Sequence, residues 1–233
     1  MKIGIILTPD TRSKAYIQKL ISNSINLDEI IFMNNRKIEQ NYNKDIINES
    51  LKFGFDISKP VSQTLSEHKC TFKEFDFIDI NDPRLIQYIS SIDVDYLIFT
   101  GGGILRQDIL NVGPKFIHLH PGIVPSYRGS TCFYYSIIND CNVGVTAFIM
   151  DKNLDTGDII YQRVFSKPNH IYVDDIFDPY MRSETLLDII KRQLLEKGKF
   201  KHQNPNEGET YYIVHPVLKH IAILSCTLPI NPS

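Results

Sequence analysis

Short apolar runs alternate with amphipathic segments along the first part of the chain. Lys2–Leu7 and Leu27–Met33 are rich in isoleucine and predict buried strands. Between them, Lys14–Ser24 carries apolar residues at helical spacing. This β-α-β opening indicates an α/β fold, a mostly parallel, doubly wound sheet with helices on both faces. Arg36–Glu67 is polar and is expected to be helical only in parts.

The same alternation continues towards the C-terminus. Pro83 and Gly198 provide the start and stop signals of two of the predicted helices. The predicted strands are Thr71–Ile78, Tyr96–Thr100, Phe116–His120 and the antiparallel pair Val143–Met150 and Ile159–Phe165; the predicted helices are Pro83–Ser90, Ser130–Ile138 and Ser183–Glu196.

Composition narrows the class of protein. The chain has 233 residues, 42% of them hydrophobic and 22% charged, which is ordinary for a globular protein able to bury a sizeable core. Its formal net charge is -2, and this argues against an extended surface for nucleic acid or for an anionic membrane. We therefore expect neither nucleic acid nor a membrane as a partner.

Cysteine usage and the N-terminus suggest a reduced compartment. The four cysteines are Cys70, Cys132, Cys141 and Cys226, and no pair has the spacing of a metal-binding motif. Cys132 and Cys226 lie in apolar surroundings and are expected to be buried free thiols. The apolar run at the N-terminus is too short for a signal peptide, and no segment is long enough to span a bilayer. The expected location is the cytoplasm.

Two histidines end the strand predicted at Phe116–His120. Because side chains alternate between faces along a strand, His118 and His120 point the same way. Three interpretations stay open for this pair: acid–base or oxyanion chemistry, ligation of a metal such as zinc, and structural hydrogen bonding.

Three further features lie near this strand in the sequence. Gly101-Gly102-Gly103 follows a predicted strand and either contacts a ligand through its backbone or forms a tight turn; it matches neither a P-loop nor a dinucleotide-binding fingerprint. Asp155 belongs to an acidic turn, which is otherwise typical of a solvated hairpin. Tyr127 and Arg128 are candidates for binding an anionic substrate, the alternative being a surface loop.

Four motifs in order resemble those of the folate-dependent formyltransferases, a family that includes glycinamide ribonucleotide, methionyl-tRNA and sugar-nucleotide formyltransferases. The family pattern is Asn-x-His at a strand end, then Leu-Pro-x-Tyr-Arg-Gly, Gly-Val-Thr and Leu-Asp-Thr-Gly-Asp. The matching segments here are His118–Gly122, Val124–Gly129, Gly144–Thr146 and Leu154–Asp158. The resemblance is close over residues 70–165 and looser before them.

The resemblance implies a Rossmann-like sheet and a formyl transfer from 10-formyltetrahydrofolate to a primary amine. It implies that His120 stabilises the tetrahedral intermediate and that Asp155 orients this histidine and assists proton transfer. The residues implied to bind the donor are Gly101, Gly102, Gly103, Ile104, Leu105, Asp151 and Leu154. The residues implied to bind the acceptor are Pro121, Gly122, Tyr127, Arg128 and Gly129. No metal is implied.

His118 departs from the family pattern, since it stands where the family has asparagine. An asparagine offers a neutral amide donor to an oxyanion, whereas a histidine is bulkier and its charge depends on pH. Two alternatives therefore accompany the formyltransferase hypothesis. The protein is a silent or altered family member that binds folate or nucleotide, or it is a metal-dependent hydrolase using His118, His120 and Asp155.

The length of the chain bears on the acceptor and on the domains. We expect a catalytic domain over residues 1–200 and a C-terminal extension over 201–233, packed on that domain or on the partner subunit of a homodimer. This leaves little room for the additional domain of the tRNA enzymes. The expected acceptor is thus a small amine, first of all a nucleotide-linked amino sugar of polysaccharide biosynthesis.

Overall fold

A seven-stranded sheet forms the centre of the computed structural model, which describes residues 1–34, 40–76, 79–101, 103–169, 172–204 and 206–227. Its strands are β1 (Ile3–Leu7), β2 (Glu29–Met33), β3 (Lys73–Phe75), β4 (Tyr96–Phe99), β5 (Lys115–His120), β7 (Asn142–Ile149) and β8 (Ile159–Ser166). Their spatial order is β3-β2-β1-β4-β5-β7-β8. A second, two-stranded sheet pairs β6 (Tyr127–Gly129) with β9 (Glu209–Tyr211).

The helices cover both faces of the sheet. They are α1 (Thr11–Ser22), α2 (Lys44–Lys52), α3 (Val61–Glu67), α4 (Pro83–Ser91), α5 (Gln107–Leu110), α6 (Cys132–Asp140), α7 (Asp178–Lys191), α8 (Leu194–Lys197) and α9 (Pro216–Thr227). A π-helical turn at Val173–Phe177 leads directly into α7. The predicted α/β fold with a mostly parallel sheet is therefore confirmed.

The sheet is parallel from β3 to β5 and mixed beyond that. Strands β1 to β5 pair in parallel, β7 pairs antiparallel to β5, and β8 pairs antiparallel to β7. The chain first builds outward from β1 to β3 and then continues on the other side of β1 with β4. Such a reversal opens a crevice at the carboxyl ends of the strands, where α/β proteins bind their ligands.

Two hydrophobic cores lie on opposite faces of the sheet. Ile117 and Leu119 of β5 belong to one, together with residues of α1, α6 and α7. Phe116 of β5 belongs to the other, together with residues of α4 and α5. The alternation of strand side chains therefore places His118 and His120 on the same face as Phe116, as the sequence predicted.

Among the predicted elements, three differ notably in extent from the structure. Helix α1 begins at Thr11 because Asp10 caps it, its side chain accepting a hydrogen bond from the Ser13 amide. The helix predicted over Ser183–Glu196 begins earlier, at Asp178, and is interrupted before α8 by Gln193, whose φ is +54°. Strand β3 has only three described residues, and the predicted strand residues Phe77 and Ile78 lie outside the described part of the chain.

No helix among the residues that the structure describes combines the length and apolar character needed to cross a bilayer. All four cysteines are free thiols, and Cys132 and Cys226 are buried as predicted.

Candidate active site

His120 lies at the end of β5 and is almost completely buried, with 2% of its surface exposed. Its Nε2 is 2.9 Å from the carbonyl oxygen of Tyr127, and its Nδ1 is 3.4 Å from Oδ2 of Asp155. Both ring nitrogens thus face hydrogen-bond acceptors, an arrangement that suits a protonated ring. Burial lowers the pKa of His120, and the Asp155 carboxylate acts in the opposite direction.

Asp155 is brought to His120 by the turn between β7 and β8. Its Oδ2 accepts a hydrogen bond of 2.7 Å from the amide of Gly129, which belongs to β6. One carboxylate oxygen therefore connects His120 with the Tyr-Arg-Gly loop. The backbone of Asp155 has a φ of +54°, a conformation that residues other than glycine adopt rarely.

His118 lies on the same face of β5, with its ring centroid 6.4 Å from that of His120. The rings of Phe99 and Phe148 flank it at centroid distances of 6.3 and 5.8 Å. Among the described residues, its Nδ1 is the single buried side-chain nitrogen or oxygen without a hydrogen-bond partner. The ring is only partly buried as a whole.

Burial lowers the pKa of His118 well below that of an ordinary histidine. The guanidinium of Arg182 adds to this effect, followed by His120 and Arg12. His118 is therefore neutral at neutral pH. A neutral imidazole that carries its proton on Nε2 is a hydrogen-bond donor, as the amide of an asparagine is.

Arg182 lies in α7, and its part in the site was not predicted from the sequence. Its Nη1 donates a 2.6 Å hydrogen bond to the carbonyl of Leu119, and its Nε donates to Asp178 at 2.8 Å. The guanidinium thus holds the β5 backbone between the two histidines. The only signal in the sequence is an Asp-x-x-x-Arg spacing on a helix, which is common in solvent-exposed ion pairs.

The loop that follows β5 is held by Thr146 of the Gly-Val-Thr motif. The hydroxyl of Thr146 donates to the carbonyl of Gly122 at 2.7 Å and accepts from the amide of Val124 at 3.2 Å. The close packing around position 122 requires a glycine there. A Cβ at this position would lie 2.8 Å from Nε2 of His120 and 2.8 Å from the Tyr127 carbonyl oxygen.

Tyr127 and Arg128 have different partners from those expected. The Tyr127 hydroxyl donates to Asp140 at 2.7 Å, and burial raises the pKa of Tyr127 to about 12. The buried guanidinium of Arg128 donates to the carbonyls of Glu207 and Asn204 at 2.8 and 3.0 Å. A substrate anion would have to displace these bonds, and the acceptor-binding role of Tyr127 and Arg128 stays a prediction.

The residues predicted to bind the donor lie on two segments near this site. Leu105, after the glycine loop, is buried in the same core as Phe116, and Met150, at the start of the Asp155 turn, packs against that core. Ile104 and Leu154 are exposed apolar side chains, 85% and 60% accessible. Asp151 shapes its own turn, accepting from the Thr156 hydroxyl at 2.9 Å. Gly101 and Gly103 lie in the described part of the chain, and Gly102 lies outside it.

The geometry does not favour the metal interpretation. Both nitrogens of His120 already face protein atoms, and no group of three or more metal-ligating side chains converges within the part of the chain that the structure describes. A cavity of about 650 Å³ lies elsewhere, between α1, β2 and β3, and none of the predicted site residues line it.

Comparison with known proteins assigns the family. The model of the Formyl transferase family matches residues 13–172. A methionyl-tRNA formyltransferase of Finegoldia magna is 26% identical over 150 residues, which is 61% of this chain and 48% of the relative. The chain thus spans about half the length of this curated relative.

Solved structures agree on the fold. A sugar N-formyltransferase from Shewanella has a TM-score of 0.58 at 16% identity, covering 97% of this chain and 88% of its own. The N-formyltransferase from Helicobacter canadensis, solved with folinic acid and dTDP-3-aminofucose, has a TM-score of 0.60 at 14% identity. The match covers 97% of this chain and 80% of the Helicobacter canadensis chain.

Proposed function

The chain belongs to the formyl transferase family, and we propose that it transfers a formyl group from 10-formyltetrahydrofolate to a primary amine. The observation that carries this proposal is the joint placement of His118, His120 and Asp155 on one face of the sheet at the end of β5. This set supplies a neutral donor and a histidine–carboxylate pair side by side, as acyl transfer to an amine requires.

In the proposed reaction the amine nitrogen attacks the formyl carbon, and the bond from that carbon to N10 of the folate breaks. His118 donates from Nε2 to the oxygen on which negative charge develops. His120 contributes from Nε2 by exchanging the Tyr127 carbonyl, its partner in the structure, for the reacting group. Asp155 favours the protonated form of His120 and so assists transfer of the proton from the amine to N10.

The residues present fit a folate donor. The exposed side chains of Ile104 and Leu154 offer apolar contact on the two segments proposed to bind the pterin. The partly exposed ring of His118 offers a polar contact at the end of β5. In the solved structure of the Helicobacter canadensis N-formyltransferase, the bound folate is folinic acid.

For the acceptor, we favour a nucleotide-linked amino sugar. Structural neighbours include sugar N-formyltransferases, and the neighbour from Helicobacter canadensis was solved with dTDP-3-aminofucose. The net charge of -2 also provides no general attraction for a polyanion such as tRNA. The methionyl-tRNA formyltransferases among the sequence relatives make that acceptor the competing possibility.

An acceptor screen tests both the proposed formyl transfer and the proposed acceptor. Purified protein is incubated with 10-formyltetrahydrofolate and, in parallel, with amino-sugar nucleotides or methionyl-tRNA, while release of tetrahydrofolate is followed. Release with an amino-sugar nucleotide alone supports the proposal, and release with methionyl-tRNA alone corrects the acceptor. No release with any acceptor, together with calorimetric binding of folinic acid, would instead identify a silent binding protein.

A further inference from the structure

Gln203 is a buried amide in the C-terminal part of the chain, with 3% of its surface exposed. Its Nε2 donates to the backbone carbonyls of Gly157 and Asp155, at 2.6 and 3.2 Å. Its Oε1 accepts from Nη2 and Nε of Arg128, at 3.2 and 3.4 Å. Both ends of this one amide are therefore used, and they connect two motifs of the site.

The first of these motifs is the turn that carries Asp155. Its backbone has the left-handed conformation described above, which needs support from its surroundings. Gly157 fixes the other side of the turn against β7, since a Cβ there would lie 1.6 Å from the carbonyl oxygen of Ile149. Gln203 is the side chain that binds the carbonyls of both Asp155 and Gly157.

The second motif is the Tyr-Arg-Gly loop. The guanidinium of Arg128 binds Gln203 and, beyond it, the carbonyls of Asn204 and Glu207. Arg128 therefore fixes the segment from which Gln203 projects. Planar guanidinium groups suit such multiple, oriented contacts.

We propose that Gln203, supported by Arg128, is a positioning residue that holds the Asp155 carboxylate against Nδ1 of His120. The proposal deepens the proposed function and rests on it for its catalytic consequence. The positioning of Asp155 itself does not depend on the proposed function, because it concerns the distance between Asp155 and His120 whatever the acceptor is.

The kinetic test compares two substitutions with a matched control. Gln203→Leu removes every hydrogen bond of the amide, and Gln203→Glu keeps the acceptor for Arg128 but loses the donors to the turn. Gln87→Leu, at an exposed position of α4, is the control. We expect kcat to fall about 10- to 100-fold in both Gln203 variants, with KM for donor and acceptor nearly unchanged, because misplacing a catalytic group by about 1 Å has effects of this size.

A second readout needs no activity. The groups that face His120 are Asp155, His118, Arg182 and Asp178, and of these Asp155 is the one that Gln203 positions. An NMR titration of His120 should show a lower pKa in Gln203→Leu than in the wild type. Asp155→Asn should lower it as well, and the double variant should add nothing further.

The outcomes separate the two proposals. If the wild-type protein transfers no formyl group, the titration alone decides the role of Gln203. An unchanged His120 pKa in folded Gln203→Leu overturns the positioning proposal, as does an unchanged kcat in an active protein. Where Gln203→Leu does not fold, as judged by circular dichroism, the nearly isosteric and uncharged Gln203→Met, which lacks the same hydrogen bonds, decides by the same measurements.

Discussion

His118 and His120 are the same residue type two positions apart on one strand, yet their surroundings give them different chemistry. Burial lowers the pKa of His120, and the Asp155 carboxylate and the Tyr127 carbonyl beside it act in the opposite direction. His118 lies between aromatic rings with a buried, unpartnered Nδ1, which favours the neutral form. The two histidines thus differ in protonation chemistry because their neighbours differ.

The role of Asp155 can be tested by Asp155→Asn, which keeps the shape of the side chain and removes its charge. We expect kcat for formyl transfer to fall about 100-fold or more, the usual size of a lost acid–base contribution. Asp158→Asn is the control, because Asp158 lies in the same turn and its side chain binds the exposed His202 at 2.8 Å. Equal activity of Asp155→Asn and wild type would contradict the proposed role.

The pH dependence of stability tests the neutral state of His118. The pKa of this histidine is lowered in the folded protein, so the unfolded chain binds its proton first as the pH falls. The stabilisation is complete above the unfolded pKa of about 6.5 and is lost progressively below it. Thermal melting between about pH 7.5 and 5 should therefore show a steeper loss of stability for the wild type than for His118→Asn. Parallel curves would contradict this.

Sequence predicted a shared site for His120, Asp155 and Gly122 because each lies in a motif with fixed spacing, and their roles in catalysis and binding stay predictions. It could not identify Gln203 or Arg182, because each acts through backbone carbonyls of a segment distant in sequence, which leaves no local pattern. It also could not show that the Arg128 guanidinium is buried, since an arginine in a loop is usually exposed.

At the scale of elements, strands that coincide with apolar or alternating runs were predictable and the three-residue strands of the small sheet were not. Strands β1, β4, β5, β7 and β8 agree with the predicted runs within a few residues. Strands β6 and β9 have three residues each and pair in parallel, Tyr127 opposite Glu209. Their pairing depends on tertiary contacts, and neither segment has the alternation that would predict a strand.

A substitution at Gly129 of β6 tests the pairing of β6 with β9. Its φ is +99°, and a Cβ would lie 2.1 Å from the carbonyl oxygen of Tyr211. We expect Gly129→Ala to lower the free energy of unfolding by about 1–3 kcal/mol from backbone strain, with a further cost from the clash. It should also speed hydrogen exchange at the Ser130 amide, which donates to Tyr211 at 2.9 Å.

The control for this prediction is Gly113→Ala. Gly113 has a φ of +85°, and a Cβ there would meet no atom within 4 Å, so only the backbone cost applies. Equal losses of stability in the two variants, measured by urea unfolding, would show that the contact between β6 and β9 is weaker than the structure indicates.

At the scale of the whole molecule, the proposed donor should stabilise the folded state by binding it. At about 100 times its dissociation constant, folinic acid adds about 2.7 kcal/mol to the free energy of unfolding. For a protein of this size that corresponds to a rise in melting temperature of roughly 5–10 °C. The chelator EDTA should leave the melting temperature unchanged. A large effect of EDTA and none of folinic acid would favour the metal alternative.

The division of the chain at residue 200 stays a prediction. Residues on both sides of it meet at the site, because β9 pairs with β6 and α9 packs against α6. The expected homodimer likewise stays a prediction.

The contacts of Gln203 have a consequence for the order of events during synthesis on the ribosome. The last strand of the large sheet ends at Ser166, so this sheet has all its strands before Gln203 has been translated. The Asp155 carbonyl gains the hydrogen bond from Gln203 only after Gln203 has emerged from the exit tunnel, and β6 gains its partner strand only after Tyr211 has followed. A nascent chain stalled between Ser166 and Gln203 would therefore contain every strand of the large sheet but lack the side chain that supports the Asp155 turn.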